Sequence, residues 1–158
     1  MSLPWWLILG GPLLSAVVGA FLSGYVVNRW KSREDQIEKR VDELCEAALN
    51  TADLAAEYWQ GAAQDAEMSL REAKILASLR RVAGLRVLLS DHMSASAMRD
   101  MQITESAFIR EVSGGQFGVH NRTADTQRIM RSHFAATELI LTARRARLRA
   151  LRGLWTRG

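Results

Sequence analysis

The stretch IEKRVDELCEAALNTADLAAEYWQGA, residues 37–62, decides the fold. Its apolar and small residues recur at alternating spacings of four and three, which places them on one face of a helix of about four heptads. The residues on this stripe are Ile37, Val41, Leu44, Ala48, Thr51, Ala55, Tyr58 and Ala62. The stripe is either a coiled-coil seam between chains or the inner face of a helical bundle, and its many alanines slightly favour the bundle.

Length and composition agree with a small helical protein. The chain has 158 residues, enough for one domain, and 48% of them are hydrophobic, which excludes a disordered chain. The two prolines are Pro4 and Pro12, so the rest of the chain can form long helices, and a β-sandwich or barrel is disfavoured. One cysteine, Cys45, excludes a disulfide framework. We therefore predict an all-α fold.

The N-terminal segment has the properties of a membrane-spanning helix. Residues 3–27 carry no charge, and a helix of that length reaches roughly 37 Å, more than the ~30 Å hydrocarbon core of a bilayer. Aromatic residues typical of membrane interfaces flank the run: Trp5, Trp6, Tyr25 and Trp30. A signal peptide would have a basic start, and a buried soluble helix rarely stays uncharged for so long. We predict a single-pass transmembrane anchor over residues 1–30, continuing into the next helix.

Charge predicts the orientation of this anchor. The nearest basic residues all follow the run, namely Arg29, Lys31, Arg33, Lys39 and Arg40. The positive-inside rule then puts the N-terminus outside and the C-terminal domain in the cytoplasm. The basic residues are mostly arginine, which fits a GC-rich bacterial genome and hence a bacterial inner membrane. Small residues every four positions favour close helix association in lipid, so we expect a homo-oligomer held by Gly11, Ser15, Gly19 and Ser23.

Residues 31–158 are predicted to form a cytoplasmic four-helix bundle. Apolar periodicity and turn signals place its helices at about 31–60, 65–90, 96–112 and 124–153. The second helix is apolar around much of its circumference, so we expect it to be the most buried. The third should turn Met98, Met101, Phe108, Ile109 and Val112 to one face. The last has a regular apolar seam with heptad spacing: Met130, Phe134, Thr137, Leu141, Arg144, Leu148, Leu151 and Trp155.

The glycine-rich loop over residues 113–122 is the first candidate for a binding site. Backbone N–H groups beside a helix N-terminus bind anions, and an aromatic ring can stack on a base. The candidate residues for an anionic small ligand are Gly114, Gly115, Gln116, Phe117, His120, Asn121, Arg122 and Arg128. The simpler alternative is a turn that ends one helix and caps the next with Thr123 or Asp125.

A cluster of arginines near the C-terminus is the strongest local charge signal. It comprises Arg144, Arg145, Arg147, Arg149 and Arg152. On an amphipathic helix these suit anionic lipid headgroups or phosphate groups. Nucleic acid is an alternative partner that the sequence does not favour, and a solvated basic face balancing the acidic first helix is the simplest interpretation.

Catalytic patterns are absent from the sequence. His92, His120 and His133 do not pair at metal-ligand spacing, and no nucleophile motif surrounds Cys45 or the serines. We expect no metal, no cofactor and no enzymatic activity.

The predicted architecture is similar to that of small bacterial membrane effectors and sensors, some of which detect a cytoplasmic nucleotide messenger during phage defence. The resemblance implies an oligomeric membrane sensor or effector whose bundle binds an anionic small ligand, such as a nucleotide, or a protein. The alternative is a non-catalytic scaffold subunit of a larger inner-membrane complex.

Overall fold

The computed structural model describes residues 5–61, 67–120 and 122–155, and the side chains of residues 28, 29, 31–61, 67–120 and 122–152. Every regular element in these ranges is an α-helix, which confirms the all-α prediction. The helices are α1 (Trp5–Gln60), α2 (Met68–Leu88), α3 (Ala95–Ser113) and α4 (Thr126–Trp155). Each of the four predicted helices overlaps one of them.

The chain divides into two compact units, Met1–Gln36 and Ile37–Gly158. Among the residues whose side chains are described, no helix contains an apolar stretch long enough to cross a bilayer. The uncharged run 3–27 lies outside these side chains, and so does the small-residue ladder Gly11, Ser15, Gly19 and Ser23. The membrane anchor and its orientation therefore stay predictions.

The predicted stripe of α1 is the inner face of a bundle in the second unit. Its residues from Ile37 to Tyr58 are all buried, whereas Ala62 lies outside the described residues. Thr51 shows how α1 is fixed to α2. Its buried hydroxyl donates to the carbonyl of Ala47 at 2.6 Å and shares a 2.6 Å hydrogen bond with the hydroxyl of Ser78. The bundle interpretation of the stripe is confirmed.

α2 buries one stripe of its surface, and the expectation that it would be the most buried helix is wrong. Ile75, Leu79, Val82 and Leu85 face the core. Several other large apolar residues of the helix are exposed: Leu70, Leu76, Val87 and Leu88. The reason is that α2 packs on its neighbours with a single face, although apolar residues occur around the whole helix. An ion pair between Arg86 and the buried carboxylate of Glu105 connects α2 to α3.

α3 begins at a capping serine and buries the face that the sequence indicates. Ser94 accepts a hydrogen bond from the N–H of Ala97 at 3.3 Å, which satisfies one free donor of the first turn. Three residues of the predicted face, Met101, Phe108 and Val112, are buried. The other two, Met98 and Ile109, are partly buried and pack against the core.

α4 contacts the bundle mainly with small side chains. The buried residues of this helix are Ser132, Ala135, Ala136, Leu139, Ala143 and Ala146. Small residues let the helix axis approach its neighbours closely. Because this inner face uses the small residues, the heptad seam of larger residues lies on the opposite side of the helix.

Candidate functional site

Five side chains close one end of the bundle beneath the glycine-rich loop. We call them the loop cluster: Tyr58, Trp59, Phe117, Arg122 and Arg128. The rings of Tyr58 and Trp59 meet edge to face with centroids 5.0 Å apart. Phe117 comes from the loop and packs on both, with its ring centroid 4.9 Å from that of Tyr58 and 6.5 Å from that of Trp59. A phenylalanine held in this way is part of the packing.

Arg122 is a buried cation within this cluster. Its guanidinium carbon lies 3.8 Å from the centroid of the Tyr58 ring and 5.2 Å from that of Trp59, the geometry of a cation–π contact. Its Nη2 donates to the sulfur of Met68 at 3.3 Å. Among the described residues, no acceptor meets its buried Nε and Nη1 groups. Such donors cost about 1–3 kcal/mol each when they stay unsatisfied.

Arg128 caps the end of α3. Its Nη1 donates to the carbonyl oxygens of Arg110 and Glu111, at 3.3 Å in each case. Its guanidinium carbon also lies 4.9 Å from the ring centroid of Trp59. The guanidinium of Arg128 thus donates hydrogen bonds to carbonyl groups that have no partner within the last turn of α3.

Two glycines allow this close approach of Arg128 to the loop. Gly115 has a positive φ of 65°, and a Cβ there would lie 2.7 Å from Nη2 of Arg128. A Cβ on Gly114 would collide with the carbonyl oxygen of Arg110. Gly114 and Gly115 are therefore required by the packing of the loop against Arg110 and Arg128.

Hydrogen bonds attach the loop and the residues on either side of it to Tyr58 and Trp59 of α1. The hydroxyl of Tyr58 accepts from the N–H of Gly118 at 2.9 Å and donates to Glu72 at 3.0 Å, and burial raises the pKa of this phenol. Nε1 of Trp59 donates to the carbonyl of Val112 at 3.0 Å. The carbonyl of Trp59 accepts from the N–H of Asp125, also at 3.0 Å. The loop and the residues on either side of it are thus held at one end of α1.

The structure therefore places the predicted ligand residues in different surroundings. Phe117, Arg122 and Arg128 belong to the loop cluster, while Gln116 and His120 are exposed. Asn121 lies outside the described residues. The contacts of Gly114 and Gly115 favour the turn interpretation of this segment, and the anion site stays a prediction.

The second candidate site is the exposed seam of α4. We call it the α4 outer face: Met130, Phe134, Thr137, Leu141 and Leu148. Phe134 is 68% exposed, Met130 65% and Leu148 54%, and these large apolar side chains follow one another along a single face of the helix. The row covers about 27 Å along the helix. Alternating spacings of four and three are those of the contact positions of a coiled coil.

Ion pairs line the α4 outer face on both sides. On the α1 side, Arg144 pairs with Asp42 at 2.7 Å, and Arg147 pairs with Glu38 at 3.0 Å. On the α3 side, the pairs are Arg131 with Glu111 and Arg149 with Asp100, at 3.2 Å in both cases. We call these the rim pairs. They contain four arginines and four carboxylates, so together they are electrically neutral.

Most of the C-terminal arginines that were predicted to contact lipid or phosphate belong to the rim pairs. Arg144, Arg147 and Arg149 lie beside carboxylates that reduce their attraction for anions. Arg145 and Arg152 are exposed. Sequence reasoning indicated the acidic first helix as a counterpart of this basic face, and Asp42 and Glu38 belong to that helix. It missed Asp100, which belongs to α3 and which no local pattern connects with α4.

Other chemistry has little support within the described residues. No group of three or more His, Cys, Asp or Glu side chains there is arranged to hold a metal ion. Cys45 is buried in the core, and burial raises the pKa of its thiol, which lowers the fraction of reactive thiolate.

Comparison with known proteins adds no relationship, since the chain matches no protein-family model, no curated protein and no solved structure. The functional interpretation therefore depends on the residues themselves.

Proposed function

We propose that this chain is a non-catalytic assembly module that docks a protein helix on the α4 outer face, with residues 1–30 as its membrane anchor. The observation that supports this proposal is the exposure of Met130, Phe134 and Leu148 in one heptad-spaced row. The uncharged run 3–27 supports the anchor, with the bundle on the cytoplasmic side of a bacterial inner membrane.

Physical chemistry favours a protein over a polyanion at this face. Covering each large apolar side chain contributes up to about 1.5–3 kcal/mol, so the row provides a substantial driving force for association. An apolar centre inside a polar rim is the usual composition of a protein interface. The opposite charges within each rim pair neutralise one another. A surface for nucleic acid or anionic lipid, in contrast, has an excess of positive charge. A partner helix with its own apolar heptad row fits this surface.

A second candidate function is the detection of an anionic small ligand, such as a nucleotide messenger in phage defence. It is supported by Arg122, whose Nε and Nη1 groups have no acceptor among the described residues. A phosphate oxygen would satisfy such donors. The first proposal is the stronger one because Arg122 is buried and because Arg128 is already committed to the end of α3.

The docking proposal can be tested by photo-crosslinking in intact cells. The photoreactive residue p-benzoylphenylalanine replaces Phe134 in the full chain, a change that keeps an aromatic side chain at the exposed position. The control chain has the same residue in place of Leu76, which is 46% exposed on α2. After irradiation, the position 134 chain should form a discrete adduct with a protein, and the position 76 chain should form far less of it. No adduct at position 134, or equal adducts at both positions, would contradict the proposal.

A further inference from the structure

We infer that the helix docked on the α4 outer face is α2 of a second copy of this chain, packed parallel to α4. This inference rests on the proposed docking function and names its partner. Within the bundle, α2 and α4 both run antiparallel to α1, as their contacts with it show. A parallel contact between α2 and α4 therefore points every copy the same way, and the N-terminal segments leave from the same end of the assembly. Anchors in one membrane require this.

α2 has an exposed heptad row of its own. Six exposed residues follow one another at alternating spacings of four and three, and we call them the α2 outer row: Leu70, Lys74, Ala77, Arg81, Gly84 and Leu88. Leu70 and Leu88, near its two ends, are large apolar side chains exposed to solvent. Leu76 lies roughly 120° around the helix from the middle of this row, so it is outside the inferred contact.

Contacts with α1 align the two rows. Ser78 of α2 is level with Thr51, because their hydroxyls share a hydrogen bond. His133 of α4 is level with Asp53, whose Oδ1 lies 3.9 Å from its Nε2. Since α4 runs antiparallel to α1, Ala135 is level with Thr51 and hence with Ser78. Two copies at equal height therefore bring this part of α4 beside the middle of α2.

Side-chain sizes are complementary in this alignment. Phe134 of one copy lies opposite Ala77 of the other, and one heptad later Leu141 lies opposite Gly84. Glycine weakens the interior of a helix relative to alanine, and a Cβ on Gly84 would meet nothing within 4 Å. Packing inside the described bundle thus gives no reason for a glycine there, whereas the close approach of a neighbouring helix does.

The charges beside the rows are complementary as well. Glu138 follows a contact position of α4, and Arg80 precedes a contact position of α2. In parallel helices packed along heptad rows, two such flanking positions face each other. Within the described part of the chain, neither residue belongs to a hydrogen bond or an ion pair. Arg80 of one copy therefore provides the opposite charge for Glu138 of the next.

Other surfaces of a second copy fit the α4 outer face less well. Two α4 helices packed in the same direction place Arg144 against Arg144, because this residue lies within the row. Among the described side chains, α1 exposes one large apolar residue, Leu49, and α3 likewise exposes one, Ile103. Neither helix therefore has an apolar row to cover the α4 outer face.

The contact continues from copy to copy, because its two halves belong to different helices. Each copy binds one neighbour through the α4 outer face and another through the α2 outer row. Such a heterologous contact builds a ring or an open row. Confinement of the anchors to one bilayer raises the effective concentration of the copies, whereas the purified chain separates into single copies on dilution.

The first test uses cysteine pairs in the full chain, with Cys45→Ala and two co-expressed copies that have tags of different size. Thr137→Cys marks the α4 outer face, and Ala77→Cys marks the α2 outer row. A short bis-maleimide added to intact cells should join position 137 of one copy to position 77 of the other. Leu76→Cys in place of Ala77→Cys is the control and should give far less product, because it lies on the other flank of α2.

Two further results are expected from these cysteines. A chain that has cysteines at both 77 and 137 should give a ladder of products beyond the dimer, because the contact is heterologous. Chains that share a single cysteine position should give little product. Equal product at positions 76 and 77, preferential joining of 137 to 137, or no product at all overturns the inference.

Charge exchange is the second test of this contact. Glu138→Arg or Arg80→Glu alone opposes like charges, and each should lower the crosslinked fraction between positions 137 and 77 about fivefold. Both changes in one chain restore opposite charges and should recover that fraction. Arg99→Glu, on an exposed position of α3, is the control and should leave it unchanged. Circular dichroism checks that each purified variant keeps its helical content. Unchanged crosslinking in the single variants, or no recovery in the double variant, overturns the inference.

The photo-crosslinking experiment separates this inference from the docking proposal. If the adduct at position 134 joins two copies of the chain through a peptide of α2, the inference is supported. If it contains a different protein, or another helix of this chain, the docking proposal stands and the inference is overturned. If no adduct forms, both are overturned.

Discussion

At the residue scale, Asp125 connects the loop cluster to α4. Its carboxylate accepts a hydrogen bond from the backbone N–H of Arg128 at 2.9 Å, which caps the first turn of the helix. This hydrogen bond is the main reason that the pKa of Asp125 lies below its ordinary value of 3.8, and the neighbouring Arg128 and Arg131 lower it further. The ionised form of Asp125 is therefore the form that stabilises the fold.

The sign of the pH dependence follows from this lowered pKa. A carboxylate with a depressed pKa contributes stability above its unfolded pKa and loses it as the pH falls through the folded value. Between about pH 5 and about pH 3, the melting temperature of the unmodified chain should therefore fall more than that of Asp125→Asn. Asparagine keeps the cap but cannot titrate.

Thermal unfolding followed by circular dichroism measures this difference. Asp91→Asn, which changes an exposed carboxylate outside the loop cluster, is the matched control and should follow the unmodified chain. Identical pH dependence in Asp125→Asn and the unmodified chain would show that the cap does not depend on the charge.

Sequence reasoning succeeded for some of these residues and failed for others. It named Asp125 as a possible cap because an aspartate just before an apolar periodic segment is a helix start signal. It did not foresee the burial of Arg122, because a charged residue in a glycine-rich loop is normally exposed. That burial depends on Tyr58 and Trp59, which lie far away in the sequence, and no local pattern indicates such a contact.

At the element scale, helical periodicity indicates which faces are apolar but does not always indicate which of them is inward. In α1 the prediction was right, because the acidic residues leave a single stripe to bury. In α4 there are two usable faces, one of small residues and one of larger residues. The small face is buried in the bundle, and the larger residues are exposed. The choice depends on how closely the neighbouring helices approach, which is a property of the packed bundle.

The two kinds of surface on α2 give a direct prediction. Leu79 is 6% exposed and Leu76 is 46% exposed, although they lie only one turn apart on the same helix. Leu79→Ala should therefore lower the free energy of unfolding by about 2–5 kcal/mol, because it leaves a cavity in the core. Leu76→Ala should change it by less than about 1 kcal/mol.

Urea denaturation followed by circular dichroism gives both values, and each leucine serves as the control for the other. Equal losses of stability in the two variants would mean that Leu76 is also buried, as the apolar character of the whole helix had suggested.

At the scale of the whole molecule, the fold class could be predicted from the sequence and the assembly could not. The near absence of proline and the stripe of α1 were sufficient for an all-α bundle. The assembly proposal depends on the exposure of the α4 outer face and on the neutral rim pairs, which require the packed positions of α1 and α3. The membrane anchor stays a prediction from the uncharged run 3–27.

The most direct test of the docking proposal is the reactivity of a cysteine placed on the α4 outer face. Cysteine replaces Phe134, or Leu76 as the control, in the full chain with Cys45→Ala, and the rate of maleimide labelling is measured in intact cells and in the purified chain. Both native side chains are exposed in the bundle, at 68% and 46%. Because a docked helix excludes solvent from the α4 outer face, labelling at position 134 should be several-fold slower in cells than in the purified chain, whereas labelling at position 76 should not differ. The same ratio of rates at both positions would contradict the docking proposal.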